Sequence, residues 1–278
     1  MDGLAIIGGT GFSDGLALAG AAEAVVGTPY GAVHVLRGRL GGREVAFLAR
    51  HGKGHSVPPH RVNYRANIWA LWHLGFRRIV ATAACGSLRP HIPPGSLALC
   101  DQFLDFTRGR PGTFFDGEDG TVRHADMTEP YCPELRRALS AAAAALGVGL
   151  RPSATYVCTE GPRFETPAEI RAYASLGGDV VGMTGVPEVV LAREAGLCYA
   201  SVAIATNSAA GLAGRPLSHE EVVAAMAAAT SSVQHLLAAA IRGLGPGPCG
   251  ACAPAPGPLR AGPGGPGLQA SSADSEPR

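Results

Sequence analysis

Charge of one sign is what this sequence lacks: Lys and Arg together number 23, Asp and Glu 22. No net basic field exists to hold a nucleic-acid backbone or an anionic membrane, so any nucleotide-like ligand is expected to be small. Long apolar runs are missing too, since no stretch reaches the roughly 18 uninterrupted apolar residues of a membrane span. The start, Met1 to Gly9, has no basic leader and only a short apolar run, and reads as a first strand and not as a secretory signal. No internal repeat is visible. Against these absences stand 278 residues with 46% apolar and 16% charged content, enough to bury a substantial core and to exclude disorder of the whole chain.

Seven cysteines make an odd count, and Cys85, Cys100, Cys132, Cys158 and Cys198 are scattered singly through apolar surroundings. Reduced thiols in a cytoplasmic protein are expected. Cys249-Gly-Ala-Cys252 has the spacing of a metal or redox pair, but no second ligand pair accompanies it in the sequence, and no metal is assigned.

From Gly243 onward the composition turns to Gly, Pro, Ala and Ser, with too few large apolar residues to offset the entropy of ordering. The reading is one domain over 1–243 and a disordered tail over 244–278. Within the domain, short β-like runs alternate with Ala-rich helical patterns, which argues for a single α/β domain: a central mixed sheet flanked by helices. Strands are expected at 4–7, 33–40, 44–48, 78–83, 96–99, 154–158, 180–181 and 199–205, the second and third joined by a Gly41-Gly42 hairpin turn. Helices are expected near 60–74, 133–146, 167–176, 187–195 and 219–242. Thr166-Pro-Ala-Glu169 and Ser218-His-Glu-Glu221 each place a hydroxyl at an N-cap and a carboxylate three residues on.

Three strand ends carry small or anion-binding residues. Gly8-Gly9-Thr10-Gly11-Phe12 follows the first strand, where glycines let the backbone approach an anion and Thr10 adds a hydroxyl donor. It lacks the GxGxxG pattern of dinucleotide folds and the GKS or GKT ending of a P-loop, and by itself it reads equally as a tight turn. Arg50-His51-Gly52 follows the third strand and offers a planar fork and a second donor for phosphate oxygens. Thr82-Ala83-Ala84-Cys85-Gly86-Ser87 ends another strand in small residues whose amides can reach the same ion.

Together with Gly161-Pro-Arg-Phe-Glu165-Thr166, Gly182-Met-Thr-Gly-Val-Pro-Glu188 and Ala205-Thr-Asn207, these elements resemble the signature series of trimeric purine nucleoside phosphorylases and methylthioadenosine phosphorylases. The match runs over roughly 4–242 in unbroken order, and the front half resembles the methylthioadenosine branch in particular. The resemblance implies the nucleoside phosphorylase fold and attack of phosphate on the anomeric carbon of a purine nucleoside, with no metal or organic cofactor. It implies that Thr10, Arg50, His51, Ala83, Ala84 and Thr184 surround phosphate, that Met183 lies under the ribose, and that Phe164, Asn207, Ser208 and Ala209 contact substrate. Asn207 would be the catalytic residue, as donor to the departing purine. His124 would reach across a subunit interface into a neighbouring site, in a homotrimer or a dimer of trimers.

The purine positions of the family, here Glu165 and Asn207, can be read chemically. A 6-oxopurine offers O6 and N7 as acceptors and N1–H as a donor; adenine offers a 6-amino donor and a bare N1. A carboxylate at Glu165 accepts from N1–H, and the Asn207 amide donates toward O6 and N7. The adenine-cleaving branch carries a small hydroxyl residue and an Asp at these two places, so the sequence departs from it. His219, in the first turn of the last helix, resembles the residue that bonds the 5′-hydroxyl, where methylthio-specific relatives are apolar. A helix N-terminus also disfavours a charged imidazole. The expectation is therefore phosphorolysis of inosine and guanosine. Methylthioinosine or methylthioadenosine phosphorolysis is the nearest alternative, and a non-catalytic nucleoside-binding protein or a hydrolase the more distant ones. The hydrolase suffers from the lack of clustered Asp residues for metal-activated water.

Overall fold

A computed structural model describes residues 3–12, 16–118, 120–214, 217–245, 249–252, 255–257 and 259–260. The strands are β1 (Leu4–Gly8), β2 (Ala19–Thr28), β3 (Gly31–Leu40), β4 (Arg43–Ala49), β5 (Arg78–Ser87), β6 (Leu97–Phe106), β7 (Leu150–Thr159), β8 (Val180–Gly182) and β9 (Cys198–Ser208). The α-helices are α1 (Tyr64–His73), α2 (Pro133–Leu146), α3 (Pro167–Ser175), α4 (Gly185–Glu194) and α5 (His219–Gly243). Every expected helix forms, and the Gly41-Gly42 turn joins β3 to β4 in an antiparallel hairpin closed by the Leu40 and Arg43 pair. The strand β2 was not expected. Its Ala- and Gly-rich sequence has no alternating pattern, and it exists as an edge strand through its pairing with β3.

The sheet is mixed, in the order β2-β3-β4-β1-β5-β8-β7-β6-β9, and β9 pairs again with β5. The strands from β5 to β9 thus close on themselves. Strand β1 shows how the sheet is buried on both faces. Its Ala5 and Ile7 belong to a core that includes Ile68, Trp69 and Leu71 of α1 and Val189 and Leu191 of α4. Leu4 and Ile6 belong to a second core with Leu135 and Leu139 of α2 and Met226, Val233 and Leu237 of α5. By length and composition alone, Glu220–Gly243 of α5 is apolar enough to cross a membrane. Its buried residues pack in the second core, as those of a core helix do.

The expectation of a disordered tail from 244 does not hold for the described residues beyond 243. Leu244, Cys249 and Leu259 are buried in the two cores. Arg43 and Arg78 donate to the carbonyls of Leu244 and Gly245 at 2.6 and 3.0 Å, and the Trp69 indole donates to that of Arg260 at 3.0 Å. Composition counts apolar side chains; it does not register main-chain carbonyls that satisfy buried donors. Residues 261–278 lie outside the described residues.

Candidate active site

The topology sets the ends of β5, β8 and β9 side by side. Gly86 and Ser87 pair with Val181 and Val180, and also with Asn207 and Ser208. Between Cys85 and Gly86 the β5–β9 register slips, so Ala205 and Asn207 are partnered and Thr206 is the extra residue. Such a bulge re-aims the side chains that follow it. The Thr206 hydroxyl is held within 3.2 Å of the Cys85 carbonyl and 2.8 Å of Asn207 Oδ1. Strand β5 runs four residues beyond the expected end at 83, so Ala84, Cys85 and Gly86 meet the site as strand and not as an open loop.

Here a cavity of about 470 Å³ opens, within the range of small-molecule sites. Of the residues singled out from the sequence, Thr10, His51, Ala84, Phe164, Glu165, Met183, Thr184, Asn207 and Ala209 line it. Ser208 lines an adjoining 280 Å³ pocket that shares Thr206 and Asn207 with the first. Ala83 is buried and lines neither. His124 is exposed and away from the cavity of its own chain. His219 opens α5, and its side chain lies outside the described residues.

Arg50 is placed differently from the expectation. Its Nε and Nη2 donate to the two carboxylate oxygens of Glu188 at 2.7 and 2.8 Å, and Nη1 donates to the Thr82 carbonyl at 2.8 Å. The fork expected to grip phosphate grips a carboxylate instead, and Arg50 does not line the cavity. Arg50 is only 3% exposed and Glu188 fully buried; Tyr199 donates its hydroxyl to the same carboxylate at 2.7 Å. Burial opposes the Arg50 charge, and Glu188 more than offsets it, so Arg50 is held well above its usual range. Gly9 makes room for this guanidinium: a Cβ there would stand 2.8 Å from both Arg50 Nη1 and the Thr82 carbonyl oxygen.

His51 also carries a chemistry its sequence position did not give. Its Nδ1 lies 2.8 Å from the Val57 carbonyl oxygen, which only accepts, so Nδ1 bears the hydrogen and Nε2 is an acceptor in the neutral ring. Burial, with the Arg50 charge beside it, lowers the imidazole to about 4. His51 is thus a neutral acceptor and not the donor expected from the sequence. It fits the protonated oxygen of a hydrogen phosphate. Its ring centroid lies 4.4 Å from that of His55, tilted by 30°, and the His55 Nε2 is 3.0 Å from the Thr10 hydroxyl.

Across the cavity, Glu165 precedes the Thr166 N-cap of α3, where the full capping box with Glu169 is formed. Glu165 is 9% exposed, and burial raises its carboxyl, opposed by a 2.6 Å hydrogen bond from the Thr159 hydroxyl to Oε1. That bond fixes one oxygen and leaves Oε2 to accept from a ligand. Asn207 donates through Nδ2 to the Ser208 carbonyl at 2.8 Å and receives Thr206 on Oδ1. One amide N–H and one lone pair remain for a ligand.

Several of the residues that hold the site together were not found from sequence. The Arg110 guanidinium donates to the carbonyls of Met183 and Val186, each at 2.8 Å, and of Glu160 at 2.7 Å, tying the Glu160 loop to the Met183 turn. Tyr156 lies under that turn, its hydroxyl accepting from the Thr184 and Gly185 amides at 3.3 Å. A Cβ on Gly185 would come within 2.8 Å of its ring. Neither arginine nor tyrosine has a local signal, because each acts on main chain far away in sequence.

Residues 4–242 match the model of the phosphorylase superfamily. The 6-oxopurine nucleoside phosphorylase of Pyrococcus furiosus is 56% identical over 246 residues, 87% of this chain and 92% of that one. A protein of Methanopyrus kandleri named "Probable S-methyl-5′-thioinosine phosphorylase" is 54% identical over 223 residues, 80% of this chain and 85% of that one. Among solved structures, methylthioadenosine phosphorylase from Schistosoma mansoni in complex with adenine superimposes with a TM-score of 0.80 at 36% identity, covering 86% of this chain and 90% of that one.

Proposed function

As this chain belongs to the phosphorylase superfamily, whose nucleoside phosphorylases are pentosyltransferases, we propose that it splits 6-oxopurine nucleosides with inorganic phosphate. The products are the free purine base and ribose 1-phosphate. The observation that carries the reading is the buried Glu165 carboxylate, oriented by Thr159 and facing one cavity with the Asn207 amide.

A hypoxanthine or guanine N1–H donates to Glu165 Oε2, while the free Asn207 N–H, shared between O6 and N7, meets the charge that gathers on the purine as the glycosidic bond loosens. Adenine leaves the carboxylate facing a lone pair, at a cost on the order of 1–3 kcal/mol or more for a charged group. Phosphate sits between Thr10, Ala84, Thr184 and His51, with Arg50 behind them. His51 Nε2 accepts a hydrogen bond from the protonated phosphate oxygen and so turns an anionic oxygen toward the anomeric carbon above it. Positioning of two reactants in one cavity supplies the rate, and the reaction calls for no metal or organic cofactor. His219 at the start of α5 is assigned the 5′-hydroxyl, and His124 the site of a neighbouring subunit in a homotrimer or a pair of trimers. Cys85, Cys100 and Cys158, buried outside any cysteine cluster, support a cytoplasmic location.

Phosphate-dependent cleavage of inosine, guanosine, adenosine, methylthioinosine and methylthioadenosine tests the reading. Inosine and guanosine are expected to be fastest. A preference for methylthioinosine would keep the base assignment and remove that of His219; a preference for methylthioadenosine would remove both. Binding without turnover would make the chain a nucleoside-binding protein.

A further inference from the structure

At the end of β9 opposite the cavity, four cysteines from three parts of the chain converge. Cys132 is the N-cap of α2, Cys198 begins β9, and Cys249 and Cys252 come from the segment beyond α5. Their four sulfurs all lie within 4.8 Å of one another, and three of the residues are buried. Four thiolates around a tetrahedral ion with bonds of about 2.3 Å stand about 3.8 Å apart, so the observed spread needs only a small contraction.

The surroundings suit sulfur in its anionic form. Leu135 N–H, in the first turn of α2, donates to Cys132 Sγ at 3.5 Å, and Ala251 N–H donates to Cys249 Sγ at 3.3 Å. The second is the turn that folds a Cys-x-x-Cys pair around one ion. Two sulfurs are held by rigid elements: Cys132 N–H bonds the Tyr199 carbonyl at 2.7 Å and Cys198 N–H the Arg77 carbonyl at 2.9 Å. A buried cation stands alongside. Arg78 is 3% exposed and opposite Cys198 in the β5–β9 register. It bonds Glu134 and Gly245, which flank the cluster in sequence, and its buried Nε–H has no partner.

We propose that Cys132, Cys198, Cys249 and Cys252 form a structural tetrathiolate site for a soft divalent cation, zinc in the first place, that fastens the segment beyond α5 to the body. All four positions are taken by protein, which makes the site closed, so it has a structural and not a catalytic role. The tetrathiolate carries two net negative charges when the metal is bound, and the Arg78 charge beside it is shared with Glu134. This site is independent of the nucleoside reading, because no residue is shared between the two.

The test uses the full chain, purified under reducing conditions without chelator, loaded with Zn²⁺ or Co²⁺ alone and desalted. About one metal per chain is expected, with the intense bands of tetrahedral cobalt thiolate. Cys252→Ser, the least buried of the four, should weaken retention by at least ~100-fold, beyond the 10–100-fold typical of losing an outer partner, while circular dichroism stays unchanged. Metal-free chains with four reactive thiols would overturn the proposal, as would masses lower by two or four hydrogens that mark disulfides. Unchanged cobalt bands in Cys252→Ser would overturn it as well.

Discussion

Strand β9 has two ends with opposite designs. At Asn207 the strand is bulged, a carboxylate is buried, and glycines make room for a guanidinium and a tyrosine; each feature costs stability and shapes a cavity. At Cys198, about 30 Å away for nine residues of extended chain, four sulfurs close to within 4.8 Å of one another. The first end is polar and open to ligands; the second gathers a segment that composition alone would leave loose. The lesson is that a strand through the centre of a sheet can carry chemistry at one tip and fastening at the other, since the ordered run between them isolates the two.

The sharpest way to break this separation is at Glu188, which underlies the cavity end. Glu188→Ala leaves the Arg50 charge buried without a partner and is expected to cost 3–5 kcal/mol in urea unfolding, with the thiol end retaining any bound metal. A loss below about 1 kcal/mol would show that the pair is not what holds this end. Replacing both partners, as Arg50→Met with Glu188→Leu, should recover most of the stability.

His51 gives a smaller effect with a defined sign. Its value falls from 6.5 in the unfolded chain to about 4 in the fold, so below pH 6.5 the unfolded chain takes up a proton that the folded one refuses. Stability from this residue is present above pH 6.5 and is lost as pH falls toward 4. Between pH 7 and 5 the loss is about 2 kcal/mol. Urea unfolding at both values should show it in the wild type and not in His51→Asn; equal slopes would remove His51 as the cause.

Smallest is Thr159→Val, which deletes the hydroxyl that orients Glu165. Loss of about 1–1.5 kcal/mol, roughly tenfold in kcat/KM for inosine, is expected. The bond lowers the Glu165 carboxyl, so without it the acid limb of the pH profile moves to higher pH. An unmoved acid limb would detach Thr159 from the site.

Much of the cavity end was legible in the sequence because its residues sit at strand ends and helix starts: Thr10 after β1, His51 after β4, Glu165 before α3, Asn207 at the tip of β9. What escaped depends on partners far apart. Arg50 and Glu188 are separated by 138 positions, so their pairing has no local pattern. The tautomer of His51 is set by a carbonyl at Val57, and the aim of Asn207 by a bulge at Thr206 that only the β5 register reveals. Cys132 and Cys198 supply the second pair that Cys249 and Cys252 lacked, at spacings no short motif contains.

The central claim is that Glu165 and Asn207 read a 6-oxopurine. It is met most directly by the ratio of kcat/KM for inosine to that for adenosine, in the wild type and in Glu165→Ser combined with Asn207→Asp. The account predicts a wild-type ratio on the order of 10⁴ that falls at least ~100-fold in the double variant, because unmatched buried polar groups set the discrimination. A ratio that changes by less than about threefold, under 1 kcal/mol, would contradict it.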